Sequence, residues 1–379
     1  MSSAQRYPSA LAQVETIRSL CMLGVFWFHL WSILPEPFQF VGDVVRWGNL
    51  SVVGFNVITG LVLAWPHLGP SARPQMAYKD FLRKRFLRIC PPYYVCLLFW
   101  TLVALLLPGT DKGGILYWFT THVPFLQVFS PSTIYGLVPA YWWLALLAQF
   151  YLLFPLILKL YLRFGPARAA LGLMAACFGF WFLLSRVAAA APDSLAGMAN
   201  FLIYYTLPAR LPEFATGMWL AHALNQGPRG ELGSSWSASL PNCPSFLAFV
   251  GAISGLGIVM GLFGGGIWEQ MPLSHLQQLG VVLAIFFGLF FHPRVVRWGK
   301  IKVVAEVARA SYGIYLLHQP ILAYGLAIVT PGLTPVAAYL FLFVIGGGVS
   351  YVASLGLDMV VERINAWMDG GKAKAPAKG

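Results

Sequence analysis

The sequence predicts an all-α polytopic membrane protein with about ten transmembrane helices and both termini cytoplasmic. Three observations carry that prediction. Of 379 residues, 58% are hydrophobic and only 10% are charged, whereas a soluble domain carries about 25% charged residues. The mean hydropathy is +0.70. Apolar stretches of near-spanning length recur along the whole chain, and a helix needs about 20 such residues to cross the hydrocarbon core. A soluble enzyme of this length would lack polar cover for its surface, and a disordered or nucleic-acid-binding chain is excluded on the same grounds.

Taken in order, the candidate spans lie near 16–34, 50–66, 89–107, 139–158, 168–187, 200–223, 245–264, 273–291, 309–329 and 335–358. The second is short. The first is not a signal peptide: no small-residue cleavage site follows it, and it holds Arg18 and His29. An even number of spans returns both termini to one side. Twenty Lys and Arg fall on that side, with the densest group (Arg73, Lys79, Arg83, Lys84, Arg85, Arg88) after span two. Arg46, Lys112 and Arg186 fall on the other, and Arg18 and Arg210 lie inside spans. Basic loops face the cytoplasm, so the termini are placed there, and the net charge of +12 needs no nucleic acid to explain it.

Residues 1–369 read as a single membrane domain, and 370–379 as a disordered basic tail. The longest outer segment, 108–138, is rich in aromatic, Pro, Gly and Thr residues and reads as a folded or re-entrant lid. Cys21, Cys90, Cys96, Cys177 and Cys243 lie in or beside apolar stretches and read as buried hydrophobes. No pair of His, Cys or carboxylate residues has metal-ligand spacing, so no metal is expected. No inverted repeat of the transporter kind is visible.

Ionisable groups inside spans mark functional sites by default. Span one opens with Glu15 and Arg18 and runs apolar to His29. Eleven residues bring His29 back to the face of Arg18, about 16 Å along the axis. Glu15 stands three residues before Arg18, within pairing reach. Span six holds RLPEFATGM from Arg210, where Arg210 and Glu213 form a neutralising pair, structural or functional, and Pro208 and Pro212 loosen the helix. Span nine holds SYGIYLLHQP from Ser311, where Ser311, Tyr315 and His318 share a face and either pack or form a site. In RKRFLRICPPYY, from Arg83 to Tyr94, Arg85 and Arg88 are one turn apart with Lys84 beside them. That group is either a membrane anchor or a phosphate site, since guanidinium groups bind phosphate oxygens in pairs.

In order, these segments resemble the membrane acyltransferase 3 family, the integral-membrane O-acyltransferases of sugars and related acceptors. Arg18 and His29, ten residues between them, match its defining motif. FNVITG (with Thr59 for the usual serine), RKRFLRICP, QFYLLFP from Gln149, RLPEFATG, SYGIYLLH and the terminal Val361-Glu362-Arg363 follow in the family's order. The resemblance covers about residues 14 to 365. One departure stands out: the family's glutamates before the span-four glutamine are replaced by Leu147 and Ala148.

The resemblance implies transfer of an acyl group, often acetyl, from cytoplasmic acyl-coenzyme A to a hydroxyl of a carbohydrate or glycosylated acceptor at the outer side. The donor is a substrate; no cofactor is bound permanently. His29 and Arg18 are the implied catalytic residues, His29 as general base or, in the less favoured variant, as the carrier of a covalent acyl-imidazole, and Arg18 steering the donor or stabilising developing charge. Lys84, Arg85, Arg88 and Tyr94 are the implied acyl-coenzyme A residues. Glu15, Thr59, Gln149, Arg210, Glu213, Tyr315 and His318 support or line the site. Membrane lipid, acyl-coenzyme A and a carbohydrate acceptor are the implied partners, and a bacterial plasma membrane the implied location. Two alternatives stay open: a transporter or flippase using the buried Arg, His and Glu, and an inactive member of the family.

Overall fold

The computed structural model describes residues 12–34, 48, 50–68, 72, 76–190, 192–224, 278–283, 297–329 and 331–368. Among the described residues there is no strand. Eleven helices are used below: α1 (Ala12–Ile33), α2 (Leu50–Ala64), α3 (Tyr78–Leu106), α4 (Lys112–His122), α5 (Trp142–Phe164), α6 (Pro166–Ala190), α7 (Asp193–Tyr205), α8 (Leu207–Leu224), α9 (Lys302–Val329), α10 (Pro335–Phe341) and α11 (Gly347–Met368). A π turn at Leu342–Gly346 joins α10 to α11, so 335–367 runs as one span. Among the described residues, six helices are long and apolar enough to cross a membrane, and α2 is a shorter apolar helix of 15 residues.

Eight of the ten expected spans fall on described helices. The stretch 245–264, most of 273–291, Cys243 and the tail 370–379 lie outside the described residues. Span six differs from the sequence reading: it is two helices, α7 and α8, broken at Thr206, whose backbone is extended (φ −92°, ψ 158°). Pro208 explains the break. Proline has no N–H to continue the preceding helix but is tolerated in the first turn of the next. Span three also differs, because α3 starts at Tyr78 and carries the basic stretch on its first turns instead of in a loop.

The hydrogen bonds fix the directions of the central helices. Ser19 Oγ donates to the Val304 carbonyl (2.8 Å) near the starts of α1 and α9, and His29 meets His318 farther along, so the two run parallel. Tyr312 Oη donates to Ile89 O (2.8 Å) while Trp100 stacks on Tyr324, so α3 runs parallel to them. The first turns of α1, α3 and α9 therefore share one end of the bundle, and their basic residues gather there.

Close backbone approach holds α2 against α8. A Cβ on Gly60 would sit 2.1 Å from Phe214 O, and one on Gly217 would sit 2.0 Å from Val57 O. Helices in lipid gain most of their association from such tight van der Waals contact at small residues. The segment 108–138 is folded, carrying α4 and a short 3₁₀ turn at Gln127–Phe129, with a second 3₁₀ turn at Pro139–Tyr141 beside it. Tyr93 and Tyr94 donate to the carbonyls of His122 and Val123 (2.9 and 2.8 Å), tying α3 to it. Thr133 Oγ1 donates to Gln127 O (2.9 Å) and Trp118 Nε1 to Ser132 O (3.0 Å). The turn Pro139–Tyr141 is stapled to α9, with Gln319 Oε1 accepting from Ala140 N (2.7 Å) and Tyr141 Oη donating to Leu316 O (2.9 Å).

Candidate active site

A cavity of about 140 Å³ opens at the basic end of the bundle, between α1, α2, α3, α5 and α9. Four arginines from three helices line it: Arg18, Arg85, Arg88 and Arg309. Among the described residues, no carboxylate lines it. Helix geometry explains the selection on α3, where Arg85 and Arg88 are 60° apart on one face and Arg83 falls on the opposite face. The Arg85 guanidinium lies over the Phe81 ring, 5.4 Å from its centroid. Lys84 is exposed and lies off the cavity. Tyr94 lies off it too, in an apolar groove on the far side of α3 that also includes Arg83, Cys90 and Ile364.

The cavity narrows to a wall of Thr59, Leu147, Trp143 and Tyr315. Thr59 donates its hydroxyl to its own helix, at Phe55 O (2.7 Å). Leu147 stands where the family resemblance expects glutamate, so this chain has an apolar side chain where a carboxylate would face the arginines. Tyr315 donates to the Ala140 carbonyl and closes the inner end against the lid turn.

One helical turn beyond Tyr315 lies the other half of the site. His318 is fully buried, and its Nε2 is 3.0 Å from Nδ1 of His29. The tautomers follow from the partners. His318 Nδ1 lies 2.9 Å from the Tyr315 carbonyl and 3.2 Å from that of Ile314. A carbonyl only accepts, so Nδ1 carries the proton and, in the neutral ring, Nε2 accepts. His29 Nδ1 is then the donor, and its basic lone pair is on Nε2. At 3.0 Å the two rings are in direct hydrogen-bond contact, with no room for an ion between them. Phe26, Phe28 and Tyr315 surround the pair with ring contacts of 5.4 to 6.2 Å.

The third cluster is separate. Arg210 is buried; its Nη1 donates to Glu213 Oε1 (2.8 Å) and its Nε to Tyr204 O (3.0 Å). The guanidinium also lies over Tyr204 and Trp142, at 4.7 and 5.9 Å. Glu213 Oε2 accepts from Asn56 Nδ2 (2.5 Å), and Asn56 Oδ1 accepts from Trp143 Nε1 (2.7 Å). Both carboxylate oxygens are thus engaged, in a chain that ties α8 to α2 and α5. Gln149 Oε1 accepts from Leu207 N (3.4 Å), the first amide after the Thr206 break. Neither Arg210, Glu213 nor Gln149 lines the arginine cavity.

Of the residues singled out in the sequence, Arg18, Thr59, Arg85, Arg88 and Tyr315 meet at one cavity, and His29 and His318 meet beyond it. Glu15 is half-buried on the first turn of α1, off the cavity lining and about 21 Å along the helix from His29. Sequence reasoning missed Arg309, which it counted as a cytoplasmic-side charge, and Asn56, whose amide in an apolar span was the available signal. It also missed the direct contact of the two histidines.

Neither a curated protein nor a solved structure matches the chain. The family model of an acyltransferase domain, Acyl_transf_3, matches residues 11–355, which takes in all three clusters. With that match over most of its length, and with six helices fit to cross a membrane, the chain belongs to the acyltransferase 3 family.

Proposed function

We propose that the protein transfers an acyl group, acetyl being the expected one, from acyl-coenzyme A to a hydroxyl of a carbohydrate or glycosylated acceptor. The observation that carries this reading is the pairing of an arginine-lined cavity with a histidine whose basic nitrogen is fixed by a second histidine. Guanidinium groups bind phosphate oxygens two at a time, and Arg85, Arg88 and Arg18 converge on one space. The phosphates of the donor bind there, at the cytoplasmic end, and the thin pantetheine arm points inward past Thr59 and Trp143. The positive-inside distribution of charge supports that sidedness, and the family's membrane setting supports an acceptor at the outer side of a bacterial plasma membrane.

In the reaction, His29 Nε2 takes the proton of the acceptor hydroxyl as its oxygen attacks the thioester carbonyl. The carbon–sulfur bond then breaks, the proton passes to the departing thiolate, and an ester and free coenzyme A result. Positioned acid–base help of this kind is worth about 10²–10⁴-fold. His318 orients the base. When His29 becomes an imidazolium, its Nδ1–H donates to His318 Nε2, a neutral counterpart to the carboxylate that orients many catalytic histidines. No carboxylate is needed: Glu213 is held by Arg210 and Asn56, and Glu15 stands far along α1. Tyr315 lies between the arginine cavity and the histidines, so its bond to Ala140 must yield for the thioester to reach His29.

The test is turnover of acetyl-coenzyme A by purified protein in liposomes, with sugars as acceptors. Wild type releases free thiol and His29→Ala does not, while both bind the donor. Release of thiol by His29→Ala at the wild-type rate removes the histidine from the mechanism.

A further inference from the structure

Acyl transfer needs a hydrogen-bond donor that the histidine pair does not supply. When the acceptor oxygen adds to the thioester carbonyl, the carbonyl π electrons move onto its oxygen, and a donor fixed there stabilises that charge. The ring N–H groups of the neutral pair are already committed, His29 Nδ1–H to His318 and His318 Nδ1–H to the carbonyls of Tyr315 and Ile314. Arg18 is too far away. It stands about 16 Å before His29 along α1, and its side chain is only six bonds of about 1.5 Å each.

The bonds between parallel helices rank the other donors on the cavity wall. Ile89 O accepts from Tyr312 (2.8 Å), so Arg85 and Arg88 stand no farther in than Tyr312. Arg309, Ser311 and Tyr312 come six to nine residues before His318, about 9–14 Å along α9. Tyr151 packs on Phe81 (ring centroids 6.5 Å apart), in the first turns of α3. Trp143 lies deeper, but its Nε1–H is given to Asn56 Oδ1 (2.7 Å), and Thr59 bonds its own helix. Gln319, one residue past His318, is not on the wall. Among the described residues that leaves Tyr315. It is buried, it precedes His318 by three residues, and its ring centroid is 5.9 Å from that of His318. Its O–H donates to the Ala140 carbonyl, across to the Pro139–Tyr141 turn.

Resting on the acyltransferase reading above, we propose that Tyr315 is a catalytic residue whose phenolic O–H turns from the Ala140 carbonyl to the thioester carbonyl and stabilises its oxyanion. The acceptor oxygen bonds to the carbonyl carbon as His29 Nε2 takes its proton. The π pair rests on the carbonyl oxygen, which accepts from Tyr315, and the phenol keeps its own proton. As that pair returns, the carbon–sulfur bond breaks, and the sulfur leaves with its electrons and takes the proton from His29. Before reaction, the phenol only exchanges one carbonyl acceptor for another. A hydrogen bond to an anionic oxygen is about twice as strong as one between neutral groups. The gain therefore falls in the transition state, where it raises the rate and leaves donor binding alone.

The experiment measures kcat with acetyl-coenzyme A and with fluoroacetyl-coenzyme A for wild type and Tyr315→Phe, which keeps the ring and removes the hydroxyl. Donor binding and melting temperature are measured alongside. With acetyl-coenzyme A, Tyr315→Phe should lose about 10²–10³-fold in kcat, the size of one lost oxyanion donor, with donor Kd and melting temperature unchanged. Fluorine draws charge off the oxyanion, so the loss should be smaller with the fluoroacetyl donor. A side chain that only positions His318 or plugs the cavity would not tell the two donors apart. Equal losses with both donors, or a kcat for Tyr315→Phe at or above the wild-type value, overturn the assignment while leaving the acyltransferase reading intact. Failure of wild type to use either thioester sinks that reading instead.

Discussion

The molecule places arginine inside its helical bundle in two ways, and the contrast separates structure from function. Arg210 is buried, with its charge met by Glu213, its Nε–H by the Tyr204 carbonyl, and its guanidinium over the rings of Tyr204 and Trp142. Glu213 is in turn bonded to Asn56, and Asn56 to Trp143. That network meets both carboxylate oxygens of Glu213, and neither Arg210 nor Glu213 lines the arginine cavity. Arg18, Arg85, Arg88 and Arg309 instead line one open space with no carboxylate on its wall among the described residues. An anion entering that space would meet several guanidinium groups at once. A charge inside a membrane protein is thus not informative by its presence; what completes its coordination is.

Five sets of substitutions break or sharpen this contrast. His29→Ala should have the largest effect, lowering the rate of acyl transfer by about 10²–10⁴-fold without changing the melting temperature or donor binding. Glu213→Ala should damage the fold. Leaving Arg210 buried without its counter-ion costs about 3–5 kcal/mol, seen as a lower melting temperature in detergent. Arg210→Met combined with Glu213→Leu should recover much of that loss, because a pair replaced by apolar groups leaves no charge stranded. Arg85→Ala and Arg88→Ala should leave the melting temperature alone and raise the KM for acetyl-coenzyme A by about 10-fold each, from charged hydrogen bonds worth about 1.5–3 kcal/mol. Lys84→Ala and Tyr94→Phe should have the smallest effect, under about 2-fold on that KM, because neither residue lines the cavity.

The long apolar helices were legible because a span announces itself by composition over 20 residues. The lid, too, showed through its aromatic and Pro/Gly content. Less legible was the break at Thr206: Pro208 flagged a weak point in span six, but only the extended backbone of Thr206 splits it into α7 and α8. The basic stretch was legible as chemistry and not as structure. Its Arg85 and Arg88 belong to the first turns of α3, where they share a face and line the cavity while Arg83 falls on the opposite face. The histidine pair could not be read from either helix alone. His29 and His318 are 289 residues apart, and nothing local to one specifies the other. Arg309 was hidden for a different reason: on the charged side of a membrane protein, one more arginine looks like a topology signal.

The most direct measurement is binding of acetyl-coenzyme A to detergent-purified protein, comparing wild type, Arg85→Ala/Arg88→Ala and His29→Ala. The account predicts that wild type and His29→Ala bind with similar affinity and that the double arginine variant loses about 100-fold or more, with its melting temperature intact. Binding by the double variant equal to wild type, or no binding of any acyl-coenzyme A by wild type, would contradict it and return the chain to the transporter or inactive-member readings.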